Sequence, residues 1–147
     1  QAALDRHQLA PELLHLELTE SSLLHDEQMA FAALGQLRAT GVRVWLDDFG
    51  TGFSGLSHLR RARVDGVKID RTFVTDILTD SEDLALSSAI IAMAHSLGMQ
   101  VIAEGVECEA QYSLLRARGC DLAQGFWMSE AIRPEELLSI PQRVAAA

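Results

Sequence analysis

Positive charge is scarce in this sequence of 147 residues: 12 Lys and Arg stand against 21 Asp and Glu, for a formal charge of −9. A sequence-independent binder of duplex nucleic acid draws its affinity from Lys and Arg set against phosphates, so that partner class is excluded. If the chain handles phosphate, something else must bring the positive charge. With 3 Pro and 10 Gly, long linkers are not expected. No apolar run is long enough to span a bilayer, and no segment reads as a signal peptide. Two cysteines, Cys108 and Cys120, are too few for a disulfide framework, and reduced thiols in a cytoplasmic protein are expected. What is present is a globular balance, 48% hydrophobic and 22% charged, which implies a packed core and one domain or part of one.

Five short apolar runs of strand length recur: Leu13 to Leu18, Val42 to Leu46, Val64 to Ile69, Met99 to Ala103 and Cys120 to Ala123. Stretches with helical spacing lie between them. Met29, Phe31, Ala32, Leu34 and Leu37 mark one helix, stopped by Gly41; Leu84 to Leu97 marks another, with Ser81 as its N-cap and Gly98 as its stop. Glu109 to Arg118 reads as a third, ended by Gly119, and Arg133 onward as a last one. Strand and helix alternate, which predicts an α/β fold of parallel strands with right-handed crossovers.

Charged or amide side chains close every run: Glu17 and Glu20 the first, Asp47-Asp48 the second, Lys68 and Asp70 the third, Glu104 and Glu107 the fourth, Gln124-Gly125 the fifth. Any one of these alone is best read as a helix cap or a solvated loop residue. In a parallel sheet or barrel, however, all the C-terminal strand ends lie on one face, so the five groups converge.

Glu17, Asp47, Asp48 and Glu104 on one rim would repel one another without bound cations. An all-oxygen carboxylate set suits hard divalent ions such as Mg²⁺ or Mn²⁺, and the sequence has no Cys or His cluster with zinc spacing. Two such ions could lower the pKa of a shared water and stabilise the attacking and leaving oxygens at phosphorus. Lys68, the cation inside this ring, could orient the water or offset transition-state charge; its acidic surroundings should keep it protonated, and an internal salt bridge to Asp47 or Glu104 is compatible with either role. Gly50-Thr51-Gly52-Phe53-Ser54-Gly55 supplies three glycines in six residues, a loop able to approach a ligand closely, although it is no Walker loop. Glu20 could hold that loop by accepting its hydrogen bonds.

These residues resemble the EAL domain family, the cyclic-di-GMP phosphodiesterases. The carriers are Glu17-Leu18-Thr19-Glu20-Ser21, Leu46 through Ser54, Val67-Lys68-Ile69-Asp70, Ala103-Glu104-Gly105-Val106-Glu107 and Gln124-Gly125. The resemblance runs from about Leu14 to Leu137. It implies a TIM-like barrel and a bacterial signalling domain that uses two metal ions to cleave one phosphodiester of cyclic-di-GMP, giving linear pGpG. It further implies that Glu17, Asp47, Asp48 and Glu104 are metal ligands, that Lys68 is the catalytic lysine and that Gln124 lies near the water. Glu20 is similar to the glutamate that anchors the Asp-Phe-Gly-Thr-Gly loop, and Glu107 to a glutamate near the dinucleotide. The family often dimerises through the helix near Leu56 to Leu59, so a homodimer is expected there, and its members often hang from membrane receptors.

The Glu-Ala-Leu signature is absent, as is the strand bearing the family's metal-binding asparagine; both would precede Gln1. Phe53 stands where the family tends to have Tyr, and Ala131 where it tends to have Pro. Eight strand-helix units would leave about 18 residues each, below the roughly 30 that such a unit needs, whereas five leave about 29. The expectation is the C-terminal part, residues 1–147, of a single barrel domain: an incomplete barrel of about five βα units whose own catalysis is impaired. Two other readings stand beside it, a cyclic-di-GMP receptor without turnover and a structural fragment that associates through strand edges. Trp45 is expected in the core and Trp127 at the core or the rim. His15, His25, His58 and His95 are expected in structural or surface roles, and Arg60-Arg61-Ala62-Arg63 on a solvated helix face.

Overall fold

The computed structural model describes residues 2–19, 22, 27–52 and 56–139. Helix α1 (Ala2–His7) and a 3-10 turn (Pro11–Leu13) lead into β1 (His15–Thr19). Then follow α2 (Glu27–Ala39), β2 (Arg43–Phe49), α3 (Leu56–Ala62), β3 (Gly66–Ile69), α4 (Thr72–Thr75), α5 (Ser81–Ser96), β4 (Gln100–Ala103), α6 (Glu109–Ala117), β5 (Leu122–Ala123) and a 3-10 segment (Pro134–Ser139). The five strands form one parallel sheet in the order β1-β2-β3-β4-β5. A doubly wound sheet would reverse order at a switch point. Sequential order instead makes a barrel wall, as expected, with helices on its outer side and side chains of the other face turned inward.

Alternation along the strands separates the two faces. Val44, Leu46, Val67, Ile69, Val101 and Ala103 join one buried cluster with Leu34 of α2, Leu59 and Ala62 of α3, Ile91 and Ala94 of α5 and Leu115 of α6. Helix α5 begins one residue earlier than the spacing suggests: Asp80, not Ser81, is its N-cap, and its carboxylate accepts from the N–H groups of Glu82 and Asp83. Gly41, Gly98 and Gly119 have left-handed φ values just beyond α2, α5 and α6, as expected for helix stops. Among the described residues no helix is long and apolar enough to cross a membrane.

Two aspartates tie the N-terminal ends of the strands together. Asp65 Oδ2 accepts from the Val44 N–H at 2.8 Å, and Asp121 Oδ2 accepts from the Val101 N–H at 2.8 Å while meeting His95 Nε2 at 2.9 Å. His95 therefore has a structural partner. Arg61 lies 4.7 Å over the Phe31 ring; Arg60 and Arg61 are exposed on α3, whereas Ala62 is buried and Arg63, also exposed, follows the helix with φ +48°.

Trp45 belongs to the inward face, 1% exposed, stacked on His15 with ring centroids 5.6 Å apart. It is paired in register with Gly66 of β3, and its indole covers that glycine so closely that an added Cβ would fall among the ring atoms. Gly66→Ala is therefore expected to destabilise the fold by about 1–3 kcal/mol and to shift Trp45 fluorescence. Chemical denaturation followed by that fluorescence checks it; a stability within a few tenths of a kcal/mol of wild type would show that the ring moves aside freely.

Candidate active site

Four neighbouring strands deliver the inward polar groups. Lys68 of β3, its side chain 5% exposed, reaches Glu17 Oε2 of β1 at 3.0 Å, Asp47 Oδ1 of β2 at 3.0 Å and Glu104 Oε1, just beyond β4, at 2.6 Å. Burial alone would pull the ammonium pKa down. The hydrogen bonds it donates to Glu104, Asp47 and Glu17 overcome this and hold it well above its ordinary value of 10.5. A raised folded value means that the stabilisation is complete below pH 10.5 and is lost only as pH rises through the folded pKa, so Lys68 stays charged throughout the neutral range.

Consecutive residues of a strand point to opposite faces, yet Asp47 and Asp48 both serve this site. β2 continues past the predicted end at Leu46 to Phe49. Its register with β3 shifts between Leu46 and Phe49, and Asp48 there adopts φ +53°. The irregularity re-aims the second aspartate, a conformation that Asp tolerates better than most residues. As a result, carboxylate oxygens of Asp47, Asp48 and Glu104 all lie within 4.8 Å of one another. Burial, then the charges of Asp47 and Asp70, push the Asp48 carboxyl upward. Asp70 goes the other way: against the effect of burial, the Thr72 hydroxyl at 2.5 Å and the Thr72 N–H at 2.9 Å hold its carboxyl below the usual range. Three converging oxygen donors with excess negative charge suit a hard divalent cation, so the residues present fit the expected Mg²⁺ or Mn²⁺.

Beside this cluster opens a hollow of about 330 Å³ lined by Asp48, Asp70, Glu104, Glu107, Gln124 and Phe126, among others. Gln124 is placed by its backbone: its N–H donates to Ala103 O at 2.8 Å and its carbonyl accepts from Val106 N–H at 3.0 Å. Gly125 follows because any Cβ there would collide with the Val106 backbone. The model of the EAL domain family matches residues 1–131. The chain belongs to that family.

MucR of Pseudomonas aeruginosa, a bifunctional diguanylate cyclase/cyclic di-GMP phosphodiesterase, is 44% identical over 137 residues, 93% of this chain and 20% of MucR. The chain thus spans about a fifth of that relative's length. The solved complex of the PaMucR phosphodiesterase with c-di-GMP superposes with a TM-score of 0.88 at 43% identity, covering 92% of this chain and 55% of that one. The manganese and cy-diGMP complex of Klebsiella pneumoniae BlrP1 gives 0.82 at 33% identity, over 88% of this chain and 33% of that one.

In this EAL chain the structure brings together Glu17, Asp47, Lys68 and Glu104 as one ionic group, and Asp47, Asp48 and Glu104 as one oxygen cluster. Glu17 meets the cluster through Lys68. Glu107 and Gln124 stand at its mouth. Of the glycine loop, Gly50 packs against Phe73 and Ile90, Thr51 Oγ1 donates to Asp48 O at 2.9 Å, and Gly52 is exposed. Glu20, Phe53 and Ser54 lie outside the described residues, as does His25. Trp127 stacks on Tyr112 with centroids 4.7 Å apart, which fastens the last segment to α6. Sequence reasoning gave Asp70 only as a strand-end charge and missed Gln111. Gln111 occupies the third position of α6, where a capping-box amide is a recognisable signal.

Proposed function

We propose that this chain is the C-terminal part of a single barrel domain that hydrolyses one phosphodiester of cyclic-di-GMP to linear pGpG. The observation that carries the reading is the cluster of Asp47, Asp48 and Glu104 oxygens within 4.8 Å, set against the buried Lys68 ammonium. Its support outside this chain is the family, with a phosphodiesterase relative and a c-di-GMP complex among the similar proteins. Asp47, Asp48, Glu104 and Glu17 would hold two Mg²⁺ or Mn²⁺ ions. Such ions lower the pKa of water and stabilise charge on the attacking and leaving oxygens.

The chain's own groups do the rest. Lys68, fixed by three carboxylates, orients the attacking water and offsets negative charge gathering at phosphorus. Gln124 holds the same water from across the hollow, and Glu107 borders the dinucleotide. The role that the resemblance implies for Glu20 is to anchor the loop of Gly50, Thr51, Gly52, Phe53 and Ser54. Helix α3 provides a homodimer contact. We read the domain as cytoplasmic, a reading with which two free cysteines, Cys108 and Cys120, are in keeping. On this reading the resemblance calls for further ligands beyond the given residues, and these residues alone are expected to turn over more slowly than the full-length protein.

The test is conversion of cyclic-di-GMP to pGpG by the full-length protein in Mn²⁺, abolished by chelation and restored by adding the ion back. Tight binding of cyclic-di-GMP with no pGpG over hours would replace this reading with that of a receptor.

A further inference from the structure

We propose that Gln111 is a positioning residue that holds the loop bearing Glu104 and Glu107 in place against the strand end bearing Lys68, an inference that rests on the metal-dependent reading above. Gln111 is 5% exposed and sits in the first turn of α6. Its Oε1 accepts from the N–H groups of Glu107 at 2.8 Å and Cys108 at 3.2 Å. Its Nε2 donates to the carbonyls of Val74 and Thr75, each at 3.1 Å. Both amide hydrogens and both acceptor sites of the oxygen are therefore in use.

The two ends of this bridge matter for chemistry. Val74 and Thr75 close α4, the short helix directly after Lys68 and Asp70, and Ser87 Oγ of α5 fixes that helix from behind by donating to Phe73 O at 3.1 Å. Glu107 and Cys108 close the loop that Glu104 opens. The first half of that loop is held by Glu104 N–H donating to Ile69 O at 3.1 Å and Val106 N–H donating to Gln124 O at 3.0 Å. Gln111 holds the second half. Glu104 must keep its oxygen 2.6 Å from Lys68 and within 4.8 Å of both aspartates, and metal ligands left unsupported by their surroundings bind poorly.

Other side chains cannot make the bridge. Methionine matches glutamine in length and forms none of the four bonds, and asparagine keeps the amide but is one methylene too short to span both loops. In the full-length protein, Gln111→Met is expected to weaken the binding of Mn²⁺ alone, read by calorimetry, by about 10- to 100-fold. Gln111→Asn should weaken it in the same direction but less. The turnover number for cyclic-di-GMP should fall with Mn²⁺ affinity while KM stays within about twofold, and hydrogen exchange should quicken at the amides of Glu107 and Cys108. Leu115→Ala, one turn along α6 at a position 1% exposed, is the control. It should lower the melting temperature and leave Mn²⁺ affinity unchanged.

Wild-type Mn²⁺ affinity in both Gln111 variants, or an equal loss in Leu115→Ala, would overturn the positioning role. A wild-type protein that binds no Mn²⁺ would instead sink the metal-dependent reading, and this inference with it.

Discussion

Full-length protein carrying Lys68→Met is expected to turn over cyclic-di-GMP about a hundred to a thousand times more slowly than wild type, while binding Mn²⁺ at least as tightly. The two halves of this expectation come from one geometry. Lys68 places a positive charge within 3.0 Å of Glu17, Asp47 and Glu104, so it is the group best placed to orient a water among them. It is also a competitor for the charge that a divalent cation would neutralise. Methionine keeps the length of the side chain and removes the charge. Three carboxylates are then left facing one another without a counter-charge, which lowers the stability of the metal-free protein and raises the gain from an added cation. Melting temperature with and without Mn²⁺ reads this directly: the increment should be larger in Lys68→Met than in wild type. The raised pKa of Lys68 adds that wild-type turnover should show no loss attributable to this group anywhere between pH 6 and pH 9. Turnover of the variant within tenfold of wild type would remove Lys68 from the chemistry and leave it a structural ion pair.

The architecture was legible because strand and helix periodicities alternate cleanly, and because an acid, a lysine or an amide closes each apolar run. The parallel order follows from that alternation, and convergence of Glu17, Asp47, Lys68 and Glu104 follows from the parallel order. What periodicity cannot show is any departure from it. From sequence alone, Asp47 and Asp48 follow a strand that ends at Leu46, where two successive carboxylates raise no geometric difficulty. They in fact lie inside β2, and the left-handed Asp48 with its register shift is what lets both serve one site. Such a bulge depends on the neighbouring strand, so the local sequence does not announce it. Asp80 in place of Ser81 is a smaller case: both can cap a helix, and only the position of the preceding turn selects between them. Gln111 was missed for another reason. A polar residue in an amphipathic helix reads as solvent-facing until the loop and α4 close over it, and its burial arises from tertiary packing.

Glu104→Gln is expected to cost about as much turnover as Lys68→Met, a hundred- to a thousandfold, and to differ from it in metal response. Glutamine preserves shape but removes a charge from both groups that Glu104 joins, the three-oxygen cluster and the Lys68 ion pair at 2.6 Å. Charge-assisted hydrogen bonds contribute about 1.5–3 kcal/mol, and Glu104 is mostly buried, so the metal-free protein should lose stability of that order. Mn²⁺ should then bind more weakly than to wild type and recover little of the loss, the opposite of the lysine variant. Glu17→Gln separates the two functions of the acidic ring. Glu17 is half exposed and touches the cluster through Lys68 alone, so the same substitution there should cost less stability and a smaller share of Mn²⁺ affinity. If Glu17→Gln and Glu104→Gln prove equal in both measurements, Glu17 is as full a ligand as Glu104, with the ammonium displaced from between the carboxylates when the cation binds. If Glu104→Gln keeps wild-type Mn²⁺ affinity, the oxygen cluster is not the cation site and the phosphodiesterase reading loses its central observation.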